Sequence, residues 1–210
     1  MRSRTSAAPE GYTTVAPWVV TDDTGAFLDF VTEAFGGEEI GRVPTEDGSI
    51  GHGEIRVGDT VVLAFDRRPD WPATPSLLRV FVPDADAAVT RALAAGGVVV
   101  TPLSDNAFGQ RGARVKDPFG NIWWVIAHVE DVSEEEMWKR LQEPGYAEGM
   151  RVAQATLDAE LTGRLHGRSS APVRTGPVTG GGTSPTGCPP PPRHPGTGRG
   201  VPAVRLSRDR

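Results

Sequence analysis

Residues 116–128 read KDPFGNIWWVIAH: a Pro/Gly turn, then large β-branched and aromatic residues closing on a histidine. That composition predicts a strand over "NIWWVIA". Side chains alternate along a strand, so Trp123 and Trp124 cannot share a face. Some 61 to 62 residues upstream, "GDTVVLAF" has the same plan of turn followed by apolar run. Working back from each strand gives the same series again. "TTVAPWVV" and "LLRVFV" are β-rich openings. "DDTGAFLDFVTEAFGG" and "DADAAVTRALAAGG" are helices, with Asp23 and Asp84 as N-caps and Gly36-Gly37 and Gly96-Gly97 as stops. "EEIGRV" with "GHGEIRVG", and "VVVTPL" with "GARVK", supply the intervening strands. The chain therefore reads as α+β: two tandem βαβββ modules, about 13–70 and 75–130, forming an eight-stranded cup-like mixed sheet with helices outside.

The flanks differ in kind. Residues 1–12 read as a flexible start, and "VSEEEMWKRLQ" as a short helix opened by a Ser133–Glu136 capping box, completing a body over 13–142. "EGMRVAQATLDAEL" spaces Met150, Ala153, Leu157 and Leu161 for a further helix within 143–162. Residues 163–210 are mostly Gly, Pro, Thr, Ser and Arg, too poor in apolar groups to offset the entropy of ordering, and are expected to be disordered.

Charge divides similarly. The whole chain carries −5, but the tail holds about eight Arg against Asp209, leaving a strongly acidic body that argues against a nucleic-acid partner. Cys188 is the only cysteine, so no disulfide forms within the chain and no Cys-based metal site exists. No apolar run approaches a membrane span, and the start lacks the apolar core of a secretory signal. A cytoplasmic protein with no membrane partner is expected. "GGVVV" and "GGGTSPTG" lack the strand-turn-helix setting of a phosphate loop.

One register follows from a turn. If Gly58-Asp59 links two strands, Val57 pairs with Thr60, and Glu54 faces Leu63. His52, Glu54, Arg56, Val61, Leu63 and Phe65 then share one face, the mixed one suited to a concave site. Gly51, Gly53, Ile55, Val62 and Ala64 take the other, suited to close helix packing.

The paired modules, the opening "APWVVTDD…FLDF", the close "KDPFGNIWWVIAH" and the extension "EDVSEEEM" resemble the glyoxalase/bleomycin-resistance/dioxygenase superfamily, also called vicinal oxygen chelate. "GHGEIRVGDTVVLAF" and "DNAFGQRGARVKDPFGN" are most similar to its PhnB-like branch. The resemblance implies a homodimer with two cups, and metal ligands on four strands at positions that here hold Ala16, Leu63, Leu77 and Trp124. A one-residue slip gives Val15, Val62, Leu78 or Trp123. None of these donates to a divalent ion, so no metal and no cofactor are expected. An unusual site from His52, Glu54 and His128 is the competing reading; the simpler one has His52 and Glu54 hydrogen-bonding each other.

The expected ligand-binding residues are Trp18, Arg79, Phe81, Phe108, Gln110, Arg111 and Trp124. Trp124, Trp18 and Phe108 offer flat apolar walls in one cavity, and Arg79 and Arg111 pair with a carboxylate or phosphate. Arg79 alternatively pairs with Glu54, and Trp123 faces the helices. Three functions follow. The first is a metal-independent protein sequestering an aromatic or amphipathic small molecule. The second is a metal-free isomerase or lyase, with His52 and Glu54 as catalytic acid and base. The third is a non-catalytic assembly domain.

Overall fold

The computed structural model describes residues 7–163; the tail expected to be disordered, Cys188 included, lies outside the described residues. The first module runs β1 (Trp18–Thr21), α1 (Thr24–Phe35), β2 (Glu38–Pro44), β3 (Ile50–Val57) and β4 (Thr60–Asp66). The second runs β5 (Leu77–Phe81), α2 (Ala85–Ala94), β6 (Val98–Asp105), β7 (Gln110–Lys116) and β8 (Ile122–His128). Two more helices follow, α3 (Glu134–Leu141) and α4 (Pro144–Leu161). Each module forms a four-stranded mixed sheet, ordered β1-β4-β3-β2 and β5-β8-β7-β6. The first strand of each pairs in parallel with the last, and the other pairs are antiparallel.

The repeat extends to the caps. Asp23 accepts from the Ala26 N–H at 2.9 Å and Asp84 from the Ala87 N–H at 3.0 Å. Each satisfies one of the donors that a helix start leaves without an intrahelical partner. Gly36 ends α1 at φ 70°, in the left-handed region that costs glycine nothing. The first strand is shorter than the sequence suggested and begins at Trp18 rather than Thr13. Pro17 has no N–H for a ladder, and its carbonyl makes the last tie, accepting from Leu63 N at 2.9 Å.

The β3–β4 hairpin has the register derived from its turn: Val57 opposes Thr60, Arg56 opposes Val61 and Glu54 opposes Leu63. Ile55, Val62 and Ala64 thus turn to α1 and are buried, and Gly53 lets Thr24 and Leu28 of the helix come close. α1 and α2 pack against each other as well as on their own sheets, so one core joins the modules. Trp123 is its bridge. Only 2% exposed, it lies on the helix side of β8, with its ring 4.8 Å from Phe35 and 6.3 Å from Phe27 of the other module.

The turn before β8 explains why a tryptophan is tolerated there. Asp117, buried in "DPFGN", accepts from the backbone N–H groups of Phe119 and Asn121, the Asn121 side-chain amide and the Trp123 indole N–H, at 2.8–3.0 Å. Burial pushes its carboxyl above the ordinary value, while these donors pull the other way. The indole's one polar atom is satisfied where an unpartnered one would be costly.

α3 begins at Ser133, whose hydroxyl accepts from the Glu136 N–H at 3.2 Å. α4 lies across the second sheet against β6, on the face away from α2. No helix among the described residues is long and apolar enough to cross a membrane.

Candidate functional site

On the second sheet the strand pairs align Arg79 with Trp124 and Trp124 with Arg114. Three adjacent strands therefore present Arg, Trp and Arg side by side on the face away from the core. The Arg79 guanidinium carbon stands 4.6 Å from the Trp124 ring centroid, and that of Arg114 also 4.6 Å. Arg79 further lies 4.8 Å from the Phe81 ring and donates to Gln110 Oε1 at 2.7 Å. Arg114 donates to the Ala153 carbonyl of α4 at 2.6 Å and to the Thr101 hydroxyl at 3.2 Å. Among the described residues, no carboxylate lies within ion-pair distance of Arg79 or Arg114. Burial alone pushes the Arg114 guanidinium's pKa down, a sign that it is desolvated without a compensating charge.

Beside this set a cavity of about 210 Å³ opens between the sheet and α4, walled by Trp124, Ile126, Arg114, Phe108, Tyr146 and Met150. Phe108 reaches it from the β6–β7 loop, where Asn106 Oδ1 accepts from the backbone N–H groups of Phe108 and Gln110 at 2.9 and 3.2 Å. Gly109 completes that loop at φ 71°, and a Cβ there would stand 2.2 Å from the Glu130 carbonyl oxygen. Position and conformation both demand glycine.

The expected site residues therefore separate. Arg79, Phe81, Phe108, Gln110 and Trp124 gather on the second sheet. Arg111 does not join them. It alternates to the helix side, where it pairs with Asp86 at 2.6 Å and Asp105 at 3.2 Å. These carboxylates raise its pKa, opposite to the effect of burial on Arg114. β7 begins at Gln110, two residues before the Gly112 start that the sequence pattern suggests, and this puts Gln110, Gly112 and Arg114 on one face. That parity is the signal that identifies Arg114. Tyr146 carried no such signal, and Met150 only its place in the helical spacing of α4, because only the docking of that helix brings them to the sheet.

Trp18 also stands apart within one chain. It was expected across the same cavity as Trp124 but lies on the first sheet, 57% exposed. Its ring stands edge-on to Phe65 at 5.4 Å and to His52 at 6.3 Å. The two sheets turn their helix sides to one shared core, so their other faces do not meet within the chain. Beside Trp18, His52 Nε2 and Glu54 Oε1 are 2.7 Å apart, and the Tyr12 hydroxyl donates to Glu54 Oε2 at 2.5 Å. Glu54 thus has Tyr12 and His52 as partners rather than Arg79. The Tyr12 hydrogen bond, then that of His52, holds the Glu54 carboxyl below its ordinary value despite partial burial. A carboxylate stabilised in this way is a weaker base, the reverse of what acid–base catalysis near neutrality asks.

The positions assigned to metal do not fit one. Leu63 and Trp124 stand in register beside Trp18 and Arg79, and none of Ala16, Leu63, Leu77 and Trp124 is an oxygen or nitrogen donor suited to a divalent ion. His128 is exposed and lies 2.9 Å from Asp131. Among the described residues, no three His, Cys, Asp or Glu side chains are placed to hold a metal ion.

Two βαβββ modules, mixed sheets and paired helices define the architecture of one superfamily, and the sequence match agrees. The chain belongs to the Glyoxalase/Bleomycin resistance protein/Dioxygenase superfamily, whose profile matches residues 12–125. It is 34% identical over 142 residues to the uncharacterized protein Mb0911c of Mycobacterium bovis, covering 62% of this chain and 93% of that one. It is equally similar to the uncharacterized protein Rv0887c of Mycobacterium tuberculosis, with 84% of the relative covered. Among solved structures it is similar to TioX from Micromonospora sp. ML1, at 26% identity and TM-score 0.47, over 55% of this chain and 98% of that one. Protein PA1353 from Pseudomonas aeruginosa follows at 21% identity and TM-score 0.46, over 55% and 98%.

Proposed function

We propose that the protein is a metal-independent small-molecule binding protein that holds a flat apolar molecule bearing an anionic group against the second sheet. The observation that carries this reading is the pair Arg79 and Arg114 flanking Trp124 with no carboxylate partner among the described residues. The partly buried Arg114 guanidinium, without a counter-charge, favours an incoming carboxylate, phosphate or sulfonate, which it can meet through N–H donors with the exposed Arg79 beside it. Phe108, Ile126 and Met150 supply apolar wall for the rest of the ligand. The isomerase or lyase reading has less support, because Tyr12 and His52 stabilise the ionised form of Glu54.

Within the superfamily we assign the chain to the PhnB-like branch, on "GHGEIRVGDTVVLAF" and "DNAFGQRGARVKDPFGN". We take 13–142 as the folded body, with 143–162 as an appended helix and 1–12 and 163–210 as flanks. A homodimer is proposed as well. Trp18 on the first sheet and Leu77 and Phe81 on the second leave more than half of their surface exposed on the outward sheet faces, apolar surface that a second chain would cover.

The test is native mass spectrometry of the protein purified untagged from its own host, with elemental analysis. The reading expects a co-purifying acidic organic molecule of one or two rings, two chains per particle, and far less than one transition metal per chain. A stoichiometric metal whose removal unfolds the protein contradicts it.

A further inference from the structure

We propose that α4 is the fourth wall of the ligand site and that Gly149 sets how bulky a ligand the site admits; the proposal rests on the reading of the Trp124 face as the ligand site. α4 lies outside residues 12–125 matched by the superfamily. It crosses the second sheet without sealing against it. None of its residues is buried, and its ties to the sheet are polar. Thr101 and Thr156 share a hydrogen bond of 2.8 Å, Arg114 donates to the Ala153 carbonyl, and Lys116 pairs with Glu160 at 2.7 Å. A helix docked by apolar burial would close the space beneath it. Here a cavity of about 210 Å³ remains on each side of Arg114 and Trp124, one roofed by Tyr146, Gly149 and Met150, the other by Leu157.

Gly149 has no local reason to be glycine. It lies inside α4, where glycine is disfavoured. Its φ is not positive, and a Cβ added to it meets nothing within 4 Å. What the missing side chain does is keep room in the cavity it lines. The size of that space selects the ligand. It is below the roughly 300 Å³ at which drug-sized sites begin, so it suits one or two fused rings. The anionic group then sits at Arg114 and the rings run beneath Gly149 toward Phe108.

The experiment is a titration of the full chain with 2-naphthoate, read by tryptophan fluorescence, in wild type, Trp124→Ala, Gly149→Ala and Gly149→Phe. Gly149→Phe is expected to weaken binding by about tenfold or more, a decade being about 1.4 kcal/mol, and Gly149→Ala to weaken it by less, in step with the smaller volume added. Wild-type affinity in Gly149→Phe, with binding lost in Trp124→Ala, overturns the role of α4 and leaves the site standing. Absence of saturable binding in wild type, or wild-type affinity in Trp124→Ala, overturns the site reading itself. Should Gly149→Phe fail to fold, Gly149→Cys in a Cys188→Ser background gives a second readout. Naphthoate is expected to protect that thiol from iodoacetamide, and full reactivity in saturating naphthoate overturns the proposal.

Discussion

Trp123 and Trp124 are neighbours on β8 with their indoles on opposite sides of the sheet, the first 4.8 Å from Phe35 and the second between Arg79 and Arg114. The alternation of one strand thus places one indole in the core and the other on the proposed ligand face. Trp123→Ala should destabilise the fold by about 3–5 kcal/mol, as loss of a buried aromatic does, and it also removes a donor from Asp117. Trp124→Ala should lower the melting temperature far less and abolish the fluorescence response to an aromatic acid. Denaturant melts of both variants, with titrations of the folded one, check the pair.

Two arginines three residues apart on β7 give a matching contrast. Arg111 pairs with Asp86 and Asp105 at the surface, an arrangement worth about 0–1 kcal/mol. Arg111→Gln should therefore leave both melting and ligand affinity nearly unchanged. Equal loss of binding in Arg111→Gln and Arg114→Gln would mean that the register of β7 is not the one that places Arg114 beside Trp124.

The Tyr12–Glu54 hydrogen bond makes a prediction about acid. Glu54 titrates below its ordinary value of 4.5 in the folded state, so the unfolded chain binds more protons at that site as pH falls. Its contribution to stability is complete above that value and is lost as pH drops through the folded one. Between pH 5 and 7 Glu54 should add no slope. Tyr12→Phe should move its carbon-detected NMR titration upward toward 4.5; an unchanged midpoint would show that the hydroxyl does not stabilise the carboxylate.

Gly149→Ala should raise helix stability, because alanine loses less backbone freedom than glycine and its methyl meets no atom within 4 Å. An increase of about 0.5–1 kcal/mol is expected from urea unfolding. A decrease would mean that α4 closes onto the sheet at this point.

The sequence carried the fold further than the site, for a physical reason. Periodicity is local, so the repeat of Asp23 and Asp84, the β3–β4 register and the inward turn of Trp123 followed from spacing alone. Sites are non-local. Placing Trp18 opposite Trp124 required knowing how the two sheets face, which depends on α1 packing against α2 across the modules. Arg111 looks like the site arginine from sequence because the strand pattern starts only at Gly112, two residues late, which leaves Arg111 in the preceding loop. The role of α4 was legible only as a helical spacing of Met150, Ala153, Leu157 and Leu161. Met150, Ala153 and Leu157 of that stripe do face the sheet, but the ties that hold the helix are polar, through the Ala153 carbonyl, Thr156 and Glu160, and no hydrophobic stripe announces those.

On the proposed reading, Arg79 and Arg114 make the Trp124 face a site for an anion joined to a flat apolar body. Its most direct test is the ratio of affinities for 2-naphthoate and the uncharged 2-naphthalenemethanol, measured by calorimetry in wild type and in Arg114→Gln. The account predicts a wild-type preference for the acid of about tenfold or more, since a charge-assisted hydrogen bond contributes about 1.5–3 kcal/mol. That preference should shrink in Arg114→Gln and also with rising salt. Equal binding of acid and alcohol by the wild-type protein would contradict the account.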